Sequence, residues 1–251
     1  MLPKNLLTIY GRKPVLEALV DPQITFYRLH LASSNKADGI VQDIIDAAKG
    51  RHVEIVYHDR MGLSRISKNK KQDQGVAADI VAANFLEFDH FILNKADAAF
   101  SLLALDRITN PQNLGMIIRS ASAGYFDGIL LPRQGCAKID PLVIKASAGT
   151  VFKATLLFCD NLIAALQSAK QHAANVYGFC LEDSEAIQNV RIRRPNIMIV
   201  GNETEGIAKD VLALCDNRIH IPMRNGIESL NVSVMAGILG FRELFCGESR
   251  L

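Results

Sequence analysis

The sequence predicts an α/β protein in two parts: a small N-terminal domain over residues 1–85, a linker at 86–100, and a larger parallel-sheet domain over residues 101–251. Three observations predict it. Short, wholly apolar runs such as Leu102–Leu105 and Ile197–Val200 alternate with segments of helical period, the pattern of parallel strands covered by helices on both faces. Positive charge concentrates early, since residues 1–85 hold 12 Lys and Arg against 9 Asp and Glu, whereas the remainder holds 16 against 17. Between the two parts, residues 84–97 (NFLEFDHFILNKAD) mix aromatic with acidic residues and keep no clean period.

In the first part, a helix is expected through Pro14 to Val20 and a strand through Tyr27 to Leu31. A longer helix over Ala37 to Ala48 would set Ile40, Ile44 and Ala47 or Ala48 on one face. Strands over Val53 to Tyr57 and Val76 to Val81 complete a small α/β sandwich. Ahead of the last strand, Arg65 to Gly75 is the densest basic run and loses apolar periodicity after Ile66. It reads as an exposed basic loop presenting Lys68, Lys70 and Lys71, although for an isolated charge run a solvated, mobile turn with no ligand is usually the better reading.

In the second part, strands are expected over Leu102–Leu105, Gly128–Leu131, Ala154–Phe158, Val176–Phe179, Ile197–Val200 and Arg218–Ile221. Helices are expected over Leu114–Ala123, Leu142–Ala148, Leu162–Ala173, Ala208–Leu214 and Val232–Cys246. No repeat or low-complexity segment interrupts them.

Several classes are excluded or disfavoured by composition. With 49% hydrophobic and 22% charged residues, the chain is near the average for a folded, soluble protein and is not intrinsically disordered. Apolar stretches are a few residues long against the ~20 that a membrane helix needs, so no membrane partner is expected. Met1 to Arg12 lacks the basic and apolar regions of a secretory signal, so the cytoplasm is the expected location. The five cysteines are scattered, with no C-x-x-C and no Cys/His spacing for zinc; reduced, mostly buried thiols and no metal are expected. A net charge of +2 does not by itself suggest nucleic acid, and its positive excess is N-terminal.

In an open α/β sheet, ligands bind beyond the carboxyl ends of the strands, and three segments there are chemically unusual. The first is Asn110-Pro-Gln-Asn113-Leu-Gly-Met-Ile-Ile-Arg119. Asn110-Pro111 starts a turn, Asn113 is placed to cap the following helix, and Arg119 lies nearly two turns inside it. Taken alone, Arg119 is explained as an exposed arginine paired with a surface acid. The second is Gly201-Asn-Glu203-Thr-Glu205-Gly206. Its glycines have P-loop spacing, but Ile207 and Ala208 stand where Lys and Ser/Thr are required, and two carboxylates would repel a phosphate. What remains is a glycine-framed loop able to offer backbone groups to a neutral or zwitterionic ligand. The third runs from Ile221-Pro-Met to Ser229-Leu230-Asn231-Val-Ser-Val, with Ser229 or Asn231 capping the closing helix.

Taken together and in order, N-P-x-N-L-G-x-x-x-R, G-x-E-x-x-G and I-P-M-x6-S-L-N-V-S-V resemble the SpoU/TrmH family of RNA ribose 2′-O-methyltransferases. The N-terminal Ile9-Tyr10-Gly11-Arg12-x-x-Val15 resembles the ribosomal-protein-like substrate-binding domain of RlmB-type members. The chain departs from the pattern at Met223-Arg-Asn-Gly226, where the glycine falls one place late, and at Glu228 before Ser229. The resemblance implies S-adenosylmethionine as methyl donor, a C-terminal trefoil knot, a homodimer with sites at the shared interface, and a guanosine ribose of 23S rRNA as substrate. Carried onto this sequence, it implies donor contacts at Gly201, Gly206, Ile221 and Leu230, a catalytic arginine at Arg119, and supporting polar roles for Asn113, Glu203, Ser229 and Asn231. Lys68, Lys70 and Lys71 are the expected RNA phosphate contacts. A guanidinium is a poor base, so Arg119 is expected to grip the phosphate beside the target ribose, with that phosphate taking the proton and Glu203 the alternative base. A tRNA ribose methyltransferase and a non-catalytic knotted RNA-binding protein are the alternatives. A nicotinamide-dependent Rossmann enzyme lacks support, because no G-x-G-x-x-G follows any expected strand.

Overall fold

The structure, a computed structural model, describes residues 6–82, 84–94 and 99–246. The chain divides into two compact units, Met1–Ala83 with Ile139–Lys145, and Asn84–Lys138 with Ala146–Leu251.

In the first unit, four strands lie in the order β1-β4-β2-β3. Strand β4 (Val76–Val81) is central and runs antiparallel to β1 (Leu6–Tyr10) and to β2 (Thr25–Ala32), while β3 (Ile55–His58) is parallel to β2. Helices α1 (Arg12–Val20) and α2 (Gly39–Gly50) pack on each other. Val15, Leu19, Val41 and Ile44 are buried on them at helical spacing.

Two elements here were not expected from the sequence. Strand β1 is a half-buried edge with little alternation. Helix α3 (Arg60–Ser67) contains a glycine and buries only Leu63 and Ser67, so its apolar period is faint; the Asp59 carboxylate starts it by accepting from Gly62 N at 2.6 Å. The basic run therefore begins inside a helix, and its loop proper starts at Lys68, which has a left-handed φ of 55°.

That loop is anchored from below by the fully buried Asp73. Its carboxylate accepts from Ser67 Oγ at 2.8 Å and Gly75 N at 2.9 Å, and pairs with Arg60 at 2.8 Å. Lys68, Lys70 and Lys71 are all exposed above it. The expected exposed basic loop is present, with a pinned frame.

The first unit also holds a buried polar chain. His30 Nε2 lies 3.1 Å from Asp79 Oδ2, His30 Nδ1 lies 2.9 Å from His58 Nε2, and Thr8 Oγ1 donates to Asp79 Oδ1 at 2.6 Å. Burial, with the neighbouring His30, lowers the His58 imidazole below its usual range. Burial alone would raise Asp79, but hydrogen bonds from His30 and Thr8 outweigh it and hold the carboxyl below the usual range.

In the second unit, eight strands form one sheet in the order β10-β12-β9-β11-β6-β7-β8-β5, and every pairing is parallel. The central strands β6 (Ser101–Leu105), β7 (Gly128–Pro132) and β11 (Asn196–Val200) are buried at every residue. The remaining strands are β5 (Phe85–Glu87), β8 (Leu156–Cys159), β9 (Asn175–Phe179), β10 (Glu185–Ala186) and β12 (Asn217–His220). On one face, Leu102, Ala104, Leu130, Leu157, Val176, Ile197 and Ile199 meet α4 (Phe88–Asn94), α7 (Leu162–Gln171) and α8 (Lys209–Leu212). The alternate residues, including Leu103, Leu105, Leu131 and Met198, are equally buried on the other face, where α5 (Pro111–Ala123) contacts β7 and packs against α9 (Val232–Cys246). The expected parallel sheet with both faces covered is therefore present. Helix α6 (Pro141–Ala146) completes the set, its residues up to Lys145 grouping with the first unit.

The linker expected at 86–100 is corrected by this arrangement. Strand β5 pairs with β8 at the sheet edge, and Phe88, Phe91 and Ile92 of α4 sit in the second unit's core at 1%, 8% and 1% exposure. A three-residue strand and a seven-residue helix are too short to show a period in sequence. Residues 95–98 of that segment lie outside the described residues.

Helices α5 and α9 approach unusually closely. A Cβ at Gly124 would lie 2.6 Å from the Gly240 backbone, and Tyr125 N donates to Gly240 O at 2.7 Å. No helix of the described residues is long and apolar enough to cross a membrane. Cys136, Cys159, Cys180 and Cys215 are free thiols; only Cys159 is fully buried, so the expectation of mostly buried cysteines holds in part. Burial pushes Cys159 up to about 12 and Cys215 up to about 11. The Cys246 side chain lies outside the described residues.

Because His58 and Asp79 both bind protons less well folded than unfolded, their stabilisation is complete above 6.5, the ordinary histidine value. It is lost as pH falls, first below 6.5 through His58 and then below 3.8 through Asp79. The melting temperature should therefore drop between about pH 7.5 and about pH 5.5, and His58→Asn should flatten that portion of the curve. An equally steep curve in the variant would place the dependence elsewhere.

Candidate functional site

The three segments singled out in the sequence follow β6, β11 and β12, all at the carboxyl end of the parallel sheet. Helix α5 begins three residues earlier than expected. Its N-cap is Asn110, whose side chain accepts from Gln112 N at 2.8 Å and Asn113 N at 3.3 Å, with Pro111 at the first helical position. Asn113 is therefore inside the helix and its amide is free for other work, which corrects the capping role expected for it.

That amide is the centre of the site. Asn113 is 8% exposed; its Nδ2 donates to Glu203 Oε1, and its Oδ1 accepts from Asn231 Nδ2 at 3.2 Å. Asn231 caps α9: its Oδ1 accepts from Ser233 N at 2.9 Å and from Ser233 Oγ at 2.6 Å. A backbone N–H can only donate, so Asn231 must turn its oxygen toward Ser233 and its nitrogen toward Asn113. Asn113 must then receive through oxygen and donate through nitrogen. The direction of both amides follows from that one backbone donor. Among the described residues, Glu203 Oε2 has no hydrogen bond, and the residue is exposed.

Glycine shapes the second loop. A Cβ at Gly201 would fall 2.3 Å from the Gly206 backbone, so only glycine lets the chain fold back there. Asn202 and Gly206 exchange backbone hydrogen bonds at 3.0 and 2.9 Å, and Gly206 takes a left-handed φ of 66°. Asn202 Oδ1 accepts from Thr204 N at 2.9 Å and Glu205 N at 3.1 Å, closing a tight turn that presents Glu203.

The loop is tied to β6 as well. Asp106 Oδ2 accepts from Ala208 N at 2.7 Å, Asn202 Nδ2 donates to Arg107 O at 3.0 Å, and Arg107 pairs with Glu205. Asp106, Arg107, Asn202 and Ser233 were not picked out from the sequence. The adjacent Asp-Arg pair directly after an apolar strand was the available signal.

The third segment, from Ile221 to Leu230, lies outside any helix or strand ladder, with a turn bond from Ile227 N to Arg224 O at 3.2 Å. Ile221 and Leu230 are half-buried, while Ser229 and Gly206 are exposed. Of the expected site residues, Asn113, Glu203 and Asn231 are joined directly, with Gly201 and Gly206 framing the loop of Glu203. Ser229 is adjacent in chain but makes no hydrogen bond among the described residues.

Arg119 is not brought to this cluster. It is exposed, with no hydrogen bond or ion pair among the described residues, so the surface acid that would explain it is missing. Six residues along α5 place it about 9 Å from Asn113 along the axis and about 240° around it. It shares its face with Met116, which is 38% exposed. Lys68, Lys70 and Lys71 belong to the other unit. Among the described residues, no group of three His, Cys, Asp or Glu could hold a metal ion.

Comparison with known proteins identifies the family of the chain. Residues 101–241 match the model of the SpoU rRNA Methylase family, and residues 8–86 match that of the RNA 2′-O ribose methyltransferase substrate binding domain. A Mycobacterium ulcerans (strain Agy99) protein named an uncharacterized tRNA/rRNA methyltransferase is 30% identical over 92% of this chain and 74% of its own. A putative RNA methyltransferase of the TrmH family from Porphyromonas gingivalis superposes with a TM-score of 0.66 at 24% identity, covering 98% of this chain and 89% of that one. The SpoU methyltransferase AviRb from Streptomyces viridochromogenes, solved in complex with AdoMet, gives 0.65 at 20% identity over 94% and 88%.

Replacing Asn113 by Asp would set a second carboxylate against Glu203 and remove the donor. Asn113→Asp should cost about 1–3 kcal/mol at pH 8. The paired carboxyls would hold a proton more tightly folded than unfolded, so the loss should shrink as pH falls toward about 5. Thermal denaturation at the two pH values measures it.

Proposed function

The chain belongs to the SpoU rRNA methylase family, and on that premise we propose that it is an S-adenosylmethionine-dependent RNA ribose 2′-O-methyltransferase acting on a guanosine ribose of 23S rRNA in the cytoplasm. The observation that carries the reading is the directed chain Ser233–Asn231–Asn113–Glu203, which joins three loops from three strand ends at one point.

The residues present fit the donor. Gly201 and Gly206 offer bare backbone, half-buried Ile221 and Leu230 offer apolar surface to an adenine, and the loop between the glycines carries the carboxylates of Glu203 and Glu205, the latter paired with Arg107. Such a set suits a cationic sulfonium with a neutral base and would reject a polyphosphate. When bound, the donor supplies a methyl group on sulfonium sulfur, which departs as a neutral thioether.

The chain's residues then have two tasks, aligning the ribose hydroxyl and dealing with its proton. Asn113 and Asn231 orient the polar edge of the site, and Ser229 lies beside them to meet the ribose. Arg119 grips the phosphate next to the target and stabilises the developing alkoxide, with that phosphate accepting the proton. Glu203, whose Oε2 is open, is the alternative acceptor.

Because Arg119 lies on another side of α5 from Asn113, we assign it to the site of a second copy in a homodimer. Met116 beside it, and Val234 and Ile238 one turn apart on α9, leave apolar side chains exposed at 38%, 50% and 40%, as a helical dimer face would. A trefoil knot at the C-terminal end of the sheet belongs to the same reading. The first unit recruits RNA through Lys68, Lys70 and Lys71.

Incubating the protein with methyl-labelled donor and purified rRNA or tRNA, then mapping ribose methylation, tests the function. Labelled rRNA is the expected result; label confined to tRNA would move the substrate, and donor titration without heat or transfer would favour a non-catalytic binder. Arg119→Lys keeps the charge but not the fork, and should lower the transfer rate by about 100-fold with donor affinity unchanged. Neutralising Lys68, Lys70 and Lys71 together should weaken RNA binding and flatten its log–log salt slope by about 2.

A further inference from the structure

One side chain outside the three motifs braces the site, and we propose that Arg107 is a positioning residue that sets the 201–206 loop, and with it Glu203, before any ligand arrives. The inference rests on the methyltransferase reading for its consequence in catalysis, though the brace itself is a property of this chain's own residues.

Arg107 holds a left-handed φ of 57°, a conformation uncommon for a residue with a Cβ. Its carbonyl accepts from Asn202 Nδ2 at 3.0 Å. Its guanidinium reaches Glu205 through Nη1 and the Gly206 carbonyl through Nη2 at 3.2 Å, while Nε lies 3.4 Å from Asp106 Oδ2. That same Asp106 oxygen accepts from Ala208 N at 2.7 Å.

Residues 202, 205, 206 and 208 are thus all attached to residues 106 and 107. Glu203 sits within this frame and points to Asn113. An exposed ion pair by itself would do little, and the Arg107–Glu205 pair, at 35% and 66% side-chain exposure, is of that kind. Its partners on the backbone change the case. A planar fork that takes a carboxylate and a carbonyl together fixes the direction of the loop, which a single charge could not.

Arg107→Gly provides the decisive variant. Glycine accepts the left-handed conformation without strain and keeps the Asn202 bond to the 107 carbonyl, which offsets the added freedom of the unfolded chain, so the fold is retained with a melting temperature lowered by no more than about 5 °C. The first readout is amide hydrogen exchange, which needs no activity. Protection of the Asn202 and Gly206 amides, which bond each other's carbonyls, should drop by about tenfold or more, while core amides of β6 stay unchanged. The second is methyl transfer to RNA, whose kcat should fall by about tenfold with the RNA KM little altered. Arg107→Lys should recover part of each effect, and Glu205→Gln in the glycine background should add little.

Unchanged protection in Arg107→Gly overturns the proposal whatever the activity. Lost protection with an unchanged kcat also overturns it, since the arginine would then hold the loop without positioning the chemistry. If the unaltered protein transfers no methyl group to any RNA, the methyltransferase reading fails on its own terms, and exchange still decides whether Arg107 sets the loop.

Discussion

A single backbone N–H, that of Ser233 at the start of α9, decides how the site is arranged. It can only donate, so it takes the oxygen of Asn231, and that choice passes through Asn113 to Glu203. Three loops that have no sequence proximity are thereby given one polar orientation. Backbones come very close at two places beside this chain of bonds. Gly201 meets Gly206 within the second loop, and Gly124 meets Gly240 where α5 ends against α9. The first contact folds the loop that presents Glu203, and the second seats the end of α5 against α9.

The sheet supplies the rigidity behind this. Its eight strands are all parallel, so every carboxyl end of the central strands opens on the same side, and the polar loops gather there while both sheet faces stay dry. The apolar residues alternate between two helical layers with almost no exposure. A frame of that stiffness allows a loop such as 201–206 to carry strain and open polar groups without unravelling.

The strands of the second unit were legible because they are short, apolar at every position and separated by amphipathic helices. Asn113, Glu203 and Asn231 were legible because their motifs stand in order after such strands. What escaped was short or relational. The β5 strand and α4 helix of the supposed linker are a few residues each, and α3 hides behind a glycine and a buried serine. Asn110 and Asn113 are both good caps, and only Pro111 at the first helical position decides between them. The role of Arg107 depends on a positive φ and on Glu205, whose partner lies 98 residues away, and neither leaves a trace in local pattern. The angular distance from Asn113 to Arg119 was calculable, yet it acquires meaning only once Asn113 is known to face Glu203.

The two contacts of Asn113 span 90 and 118 residues of chain. Contacts of such range form late, because the loops they close carry their entropy cost until the sheet between them exists. During synthesis, α5 and β6 emerge long before α9, and a growing chain lacks the Ser233 donor that orients everything upstream. Until that helix is made, Asn113 and Glu203 lack the donor that fixes their orientation, so the site is completed only by the last element of the fold.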